Sequence, residues 1–212
     1  MKIALCPIQS ITGDVLSNIS MHLDACRKAA HLGCQAAFFP ELSITGYYLE
    51  EIKGMRFTGK EHEFQPFQDF SNQENMVIGI GAPLSSEKGT QIGLLVFHPN
   101  QPVQTYAKRW IHESEKPYFI PGHRSEVISV NNVKLAPAIC YESKLEEHFS
   151  STRDQHHFDA YLALVFKTEE DIAIAKKHYQ YLAKKYNTPI LCVNHNEAFQ
   201  INQSPLLESV II

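Results

Sequence analysis

The amino-acid sequence predicts an α/β fold in which helices cover the faces of a mixed β-sheet. Two observations lead to this class. Strand-like and helix-like segments alternate along the chain, and most of the strands are nearly continuous apolar runs. The 212 residues are enough for one domain with a sizeable core, so we expect a single domain over residues 1–212.

The first half of the chain supplies an early strand, two helices and a group of strands. A strand is expected over residues 2–8, followed by a helix over 15–33 that stops at Gly33. The next strand, 35–42, stops at Pro40-Glu41. Segment 61–75 is expected to be helical in part, with Pro66 interrupting it. Three further strands are then predicted, at 76–84, 90–99 and 103–110.

The second half continues the alternation. Asn131-Asn132 separates two strand-like segments, 125–130 and 133–140, and this pair predicts a hairpin turn. An apolar strand over 159–166 precedes a helix over 169–187, whose apolar positions recur near the helical period. A last confident strand covers 189–195.

Composition and charge limit the classes of function to be expected. The net charge of −4 gives no basic footprint, so a nucleic-acid partner is not expected, and no apolar run approaches the length of a membrane span. The N-terminal segment is typical of a first strand and not of a signal peptide. Five scattered cysteines without a CxxC pair favour a reducing compartment, the cytoplasm, over a disulfide framework or a cysteine zinc site.

Three reactive side chains stand at predicted strand ends. Glu41 follows one apolar run and Cys140 ends another, while Lys108 lies between Tyr106 and Trp110, with which it would share one strand face. Each has an ordinary explanation: a solvated turn glutamate, a lysine that extends along apolar surface to water, and a buried cysteine. Together they suit nucleophilic catalysis. A carboxylate can deprotonate the thiol, and an ammonium can stabilise both the thiolate and the oxyanion that follows.

Three segments resemble the signature motifs of the nitrilase, or carbon–nitrogen hydrolase, superfamily. They are FFPELSITGY (38–47), KRWIHESEKPYFIPG (108–122) and LAPAICYESKLEE (135–147), in the family's order of Glu, Lys and Cys. The resemblance covers about residues 2–194 and implies an αββα sandwich with mixed sheets.

The resemblance also implies roles for individual residues. Glu41 would be the general base, Cys140 the nucleophile, Lys108 the oxyanion stabiliser and Glu115 the residue that orients substrate and lysine. The backbone N–H of Tyr141 would complete the oxyanion hole, and Tyr141 and Tyr47 are the expected substrate contacts. The implied reaction cleaves a non-peptide carbon–nitrogen bond of a small linear amide through a thioester, releasing ammonia or an amine. No metal or other cofactor is expected.

The sequence departs from the family pattern in four places. Ala136 stands where a glycine is usual, and the Glu146-Glu147 pair lacks the usual proline. Segment 167–171 reads KTEED where small residues normally line the pocket. Family members normally continue further, so the presence of the C-terminal strands is left open. We expect the last segment, 206–212, to dock as an edge strand, because its apolar end would otherwise be exposed.

Two alternatives accompany this interpretation. A non-catalytic binding or scaffold protein could keep the fold without the reaction. A histidine metal site could involve His148, His156, His157 and His195, although exposed turn histidines explain them better.

The resemblance also implies a homodimer or higher homo-oligomer, a view that Tyr179, Tyr181 and Tyr186 on the 169–187 helix favour.

Overall fold

The computed structural model describes all residues from Met1 to Ile212 and contains eleven strands and four α-helices. The strands are β1 (Lys2–Leu5), β2 (Ala36–Phe38), β3 (Val77–Ser86), β4 (Gly89–Phe97), β5 (Gln104–Ala107), β6 (Ile128–Val130), β7 (Val133–Ile139), β8 (Ala160–Leu164), β9 (Ile190–Val193), β10 (Ala198–Ile201) and β11 (Glu208–Ile211). The helices are α1 (Val15–His31), α2 (Gln65–Glu74), α3 (Glu146–Gln155) and α4 (Glu169–Tyr186).

The strands form two mixed sheets. The first has the order β11-β1-β2-β3-β4-β5, in which β11 to β3 run parallel and β4 and β5 are antiparallel to their neighbours. The second has the order β10-β9-β8-β7-β6, with a parallel centre and an antiparallel strand at each edge. Parallel strands need crossover connections, and α1, α3 and α4 supply three of them.

Three apolar clusters define the layers. The largest lies between the sheets and joins side chains such as Phe38 and Leu94 of the first sheet to Leu135 and Leu162 of the second. A second cluster packs α1 and α2 on the outer face of the first sheet, and a third packs α3 and α4 on the outer face of the second. The prediction of an αββα sandwich with mixed sheets is therefore confirmed.

Local sequence explains where several elements begin and turn. Thr168 caps the N-terminus of α4 by accepting a hydrogen bond from the Asp171 amide, and the helix ends at Asn187 in the left-handed conformation. The β6–β7 hairpin turns at Asn131, whose φ is 53°, as the Asn-Asn pair predicted. Pro66 does not interrupt a helix, because it lies in the first turn of α2, where no amide donor is required.

The C-terminal segment docks on the first sheet. Residues 208–211 form β11, which pairs in parallel with β1 from Lys2↔Glu208 to Leu5↔Ile211. The expectation of an edge strand is therefore confirmed. β10 also follows the last confidently predicted strand and extends the second sheet.

Two other expectations need correction. The α4 tyrosines do not form an aromatic surface, since Tyr179 is fully buried, Tyr186 stacks on Phe149, and only Tyr181 is exposed. The dimer therefore stays a prediction that rests on resemblance. His148 is not an exposed turn residue, because it is fully buried on α3.

No helix combines the length and apolar character that crossing a membrane requires.

Candidate active site

The structure brings the four predicted catalytic side chains together at one edge of the sandwich. Glu41 follows β2, Lys108 directly follows β5 and Cys140 directly follows β7, so three strands deliver them from their C-terminal ends. Glu115 comes from a short 3₁₀ helix, Glu113–Glu115, in the loop after β5. Residues far apart in sequence meet here because the strand ends lie side by side.

Lys108 is the centre of a buried charge cluster. Its Nζ lies 2.7 Å from Glu41 Oε1 and 2.8 Å from Glu115 Oε1, and all three side chains are almost completely buried. The two carboxylates outweigh the opposing effect of burial and raise the pKa of Lys108 above its usual value. The ammonium is therefore permanently charged and held in a fixed position, as an oxyanion stabiliser must be.

Glu41 keeps one oxygen free. Burial and the neighbouring Glu115 charge raise its pKa to about 7, although Lys108 opposes this shift. Its Oε2 is buried and has no hydrogen-bond partner. The turn that carries Glu41 packs tightly on β3 at Gly81, where a Cβ would come within 2.1 Å of the Pro40 carbonyl oxygen.

Cys140 occupies a strained position for a residue with a side chain. Its φ is 44°, in the left-handed region, and its Sγ lies 3.7 Å from the Phe166 carbonyl oxygen and 3.7 Å from Lys167 Nζ. Burial, together with the Glu41 charge, raises the pKa of Cys140 to about 11 despite the two nearby lysines. The resting group is therefore a thiol, although Lys108 and Lys167 both favour the thiolate, and it would need a base to become nucleophilic.

The predicted shared face of Tyr106, Lys108 and Trp110 is wrong in part. The strand ends at Ala107, so Trp110 lies beyond it, under the Arg109 guanidinium. Tyr106 and Lys108 both point inward but reach different carboxylates, since the Tyr106 hydroxyl donates to Glu142 at 2.8 Å.

Glu142 is a buried neighbour of the site that the sequence did not predict. It accepts hydrogen bonds from the backbone amides of Ile139 (2.8 Å) and Arg109 as well as from Tyr106. These bonds join the Cys140 turn to the segment that carries Lys108. The signal available was its position, two residues after the cysteine and in a turn that the structure buries.

A cavity of about 180 Å³ opens onto the cysteine. Its lining side chains are Tyr47, His112, Ser114, Glu115, Cys140, Tyr141, Lys144, Phe166, Lys167 and Asp171. Tyr47 donates to Glu115 at 2.7 Å and stacks on Phe166 with ring centroids 4.8 Å apart. Tyr47 and Tyr141, the predicted substrate contacts, both line this cavity.

The histidines do not assemble into a metal site. His148 accepts or donates hydrogen bonds with Tyr106 and Tyr161, and burial lowers its pKa to about 3. His157 is largely exposed, and no group of three His, Cys, Asp or Glu side chains is arranged to hold a metal ion.

The family model described as "Carbon-nitrogen hydrolase" matches residues 2–193 of the chain. Two curated relatives are named glutamine-dependent NAD(+) synthetase. The one from Thermotoga maritima is 23% identical over 146 residues, and the one from Acinetobacter baylyi is 26% identical over 144 residues. Each match covers 66% of this chain but only 25% or 26% of the relative, so the chain spans about a quarter of their length.

Solved structures share the fold. A mutant of the amidase from Nesterenkonia sp. AN1, which shows the result of Michael addition of acrylamide at its active-site cysteine, superposes with a TM-score of 0.80 at 16% identity over 90% of this chain and 77% of that one. The glutamine-dependent NAD+ synthetase from Acinetobacter baumannii superposes with a TM-score of 0.82 at 21% identity, covering 94% of this chain and 41% of that one.

Proposed function

This chain belongs to the carbon–nitrogen hydrolase family, and on that basis we propose that it is an amidase-type hydrolase of small linear amides with Cys140 as its nucleophile. The observation that carries the proposal is the unpartnered Glu41 Oε2 beside a thiol that is protonated at rest. A buried acceptor without a donor is costly, and a proton arriving from Cys140 satisfies it.

The proposed first half-reaction forms a thioester. Glu41 takes the proton from Cys140 as Sγ attacks the amide carbon, and the oxyanion is stabilised by Lys108 and the backbone N–H of Tyr141. When the tetrahedral intermediate collapses, the carbon–nitrogen bond breaks. Glu41 then passes its proton to the leaving nitrogen, which departs as ammonia or an amine.

The second half-reaction returns the enzyme to its resting state. Glu41 accepts a proton from water, and the hydroxyl adds to the thioester carbon. The carbon–sulfur bond then breaks to release the acid, and Glu41 returns its proton to Cys140 Sγ, which restores the thiol. Glu115 is the second carboxylate that holds Lys108, 2.8 Å from its Nζ. Its part is to hold the ammonium where the oxyanion develops in both halves.

Ammonia release from a panel of amides, glutamine included, tests this function. Glutamine belongs in the panel because the curated relatives are glutamine-dependent enzymes. Wild-type protein should release ammonia and show a transient acyl adduct on Cys140 by intact mass, and Cys140→Ala should do neither. Cys34→Ala, at a thiol outside the site, is the matched control and should retain activity.

The competing function is a non-catalytic scaffold that keeps the fold. It predicts no adduct and no ammonia from any amide, and equal behaviour of wild type and Cys140→Ala. An acyl adduct found on Cys34 or Cys192 in place of Cys140 would also contradict the proposed nucleophile.

A further inference from the structure

Lys167 is a buried lysine beside Cys140, and its ammonium lacks a full set of hydrogen-bond partners. The residue is 5% exposed, lines the cysteine cavity, and its Nζ lies 3.7 Å from Cys140 Sγ. An ammonium has three N–H donors, and the sulfur is the one partner that Lys167 Nζ has. Burying a charged group costs free energy unless an anion pairs with it.

The other charges of the cavity are already matched. Glu115 is held by Lys108 at 2.8 Å, and Asp171 lies 4.0 Å from Lys144. No carboxylate lies within 4.0 Å of Lys167 Nζ. Lys167 is therefore the ammonium in this cavity whose anion must come from elsewhere.

The backbone holds Lys167 in place. Asn194, at the end of β9, accepts a hydrogen bond from the Lys167 amide at 2.9 Å and donates to its carbonyl at 3.0 Å. Both Asn194 and Lys167 follow apolar strands of the second sheet. The ammonium is thus presented from a rigid strand end, as a recognition group should be.

We propose that Lys167 binds a carboxylate on the acyl part of the substrate, and this inference rests on the proposed amide hydrolysis. Lys167 and Cys140 line this cavity, whereas Glu41, the residue proposed to protonate the leaving nitrogen, lines the adjoining cavity, which shares Tyr47 and Phe166 with it. Lys167 accordingly lies on the side of the acyl group. The preferred substrates are short monoamides of dicarboxylic acids.

Distance limits the length of that acyl group. An ammonium–carboxylate hydrogen bond of about 2.8 Å places the carboxylate oxygen within about 6.5 Å of Sγ. The reacting carbonyl carbon itself approaches to about 3–3.5 Å before attack. Two or three carbon–carbon bonds of about 1.5 Å connect these positions, as in malonamate and succinamate.

Kinetics with a matched substrate pair test the proposal. Succinamate and succinamide have the same number of heavy atoms and differ in charge. Lys167→Met should lower kcat/KM for succinamate by about thirtyfold or more, the loss expected for one partner of a buried charge pair, and change kcat/KM for succinamide much less. Lys177→Met, an exposed lysine on α4, is the matched control and should behave as wild type.

Alkylation of Cys140 separates this inference from the proposed function, since it requires no hydrolysis. Iodoacetate and iodoacetamide both transfer a CH₂ group to the thiolate with loss of iodide, but only iodoacetate is anionic. The rate ratio of iodoacetate to iodoacetamide should fall roughly tenfold in Lys167→Met. A change in thiolate population alters both rates equally and leaves that ratio unchanged.

The outcomes are distinct. An unchanged ratio, with both reagents slowed equally, shows that Lys167 acts on the sulfur alone and overturns the inference. A changed ratio in a protein that hydrolyses no amide supports the anion site and removes the proposed function. Circular dichroism checks folding, and Lys167→Gln serves as the second variant if Lys167→Met does not fold.

Discussion

Glu41 and Glu142 are both buried, and burial raises the pKa of each above its usual value. Their surroundings differ. Glu142 receives hydrogen bonds at both oxygens from three backbone amides and a phenol, whereas Glu41 has Lys108 at one oxygen and no partner at the other.

This difference favours a structural role for Glu142 and supports the proposed role of Glu41 as the base. A fully satisfied buried carboxylate fixes the chain segments that donate to it, and a proton on it would compete with one of those hydrogen bonds. A buried carboxylate with a free oxygen is poised to accept one. Consecutive residues connect the two glutamates. The Lys108 side chain donates to Glu41, and the backbone amide of Arg109 donates to Glu142.

Replacing Glu41, the proposed base, gives the largest expected effect. We expect Glu41→Gln to lower kcat by about 10²–10⁴-fold, the usual contribution of a general base. The free energy of unfolding at pH 8 should change by no more than about 1 kcal/mol, since Lys108 keeps Glu115 as its partner. Activity retained within tenfold would show that another group deprotonates Cys140.

Glu142→Leu should produce the opposite result, a loss of stability. It leaves the Ile139 and Arg109 amides and the Tyr106 hydroxyl without their acceptor, which costs about 3–5 kcal/mol. A thermal midpoint roughly 10 °C lower is expected for a chain of this size.

Glu142→Gln is the matched control for that loss. It preserves shape and one acceptor oxygen, and its unfolding midpoint in urea should lie between those of Glu142→Leu and wild type. Equal midpoints for all three proteins would mean that the hydrogen bonds to Glu142 do not stabilise the fold.

Much of this site could be predicted from sequence, because a strand end is visible as an apolar run that stops at a polar residue. Glu41, Lys108 and Cys140 were found in this way, and the family motifs added Glu115. Lys167 obeys the same rule, since it closely follows β8, and attention to that fourth strand end would have found it. The rule misses Glu142, whose partner amide at Arg109 lies 33 residues away in sequence and leaves no periodic signal.

Strand ends were also the least certain boundaries. The predicted strand 103–110 stops at Ala107, where the chain leaves β4 after one last hydrogen bond from the Lys108 amide to Ile92. The sequence continues with aromatic and branched residues, Trp110 and Ile111, that are typical of strands. What ends the pairing is the tertiary contact to Glu142, and a local pattern does not contain it.

Glu41 should make both stability and activity depend on pH. Its pKa of about 7 exceeds the value of about 4.3 in an unfolded chain. The folded state therefore binds the proton more tightly, and this contribution to stability is present below pH ~4 and lost as the pH rises to ~7. Activity should run the other way, with kcat/KM rising through an apparent pKa near 7 as the carboxylate forms.

The difference in unfolding free energy between wild type and Glu41→Gln isolates that group. It should shift by a few kcal/mol against wild type between pH ~5 and ~7.5, at about 1.4 kcal/mol per pKa unit. The contributions of buried histidines such as His22 and His148 cancel in this difference, because both proteins contain them. A flat difference would mean that Glu41 is ionised throughout this range, and the rising limb of activity would then belong to another group.

Glu146, whose side chain is 33% exposed, gives the smallest expected effect, because hydrogen-bond partners stabilise less where water reaches them. Glu146 accepts hydrogen bonds from Lys185, Tyr181 and Tyr186, which lower its pKa to about 2. Water competes for every one of these contacts, so the ion pair contributes little. Glu146→Gln should match the wild-type urea midpoint at pH 7, and the two should diverge slightly as the pH falls from about 4.5 towards 2, where wild type loses the benefit of the ionised carboxylate. A midpoint shift at pH 7 as large as that of Glu142→Gln would show that the number of partners matters more than burial.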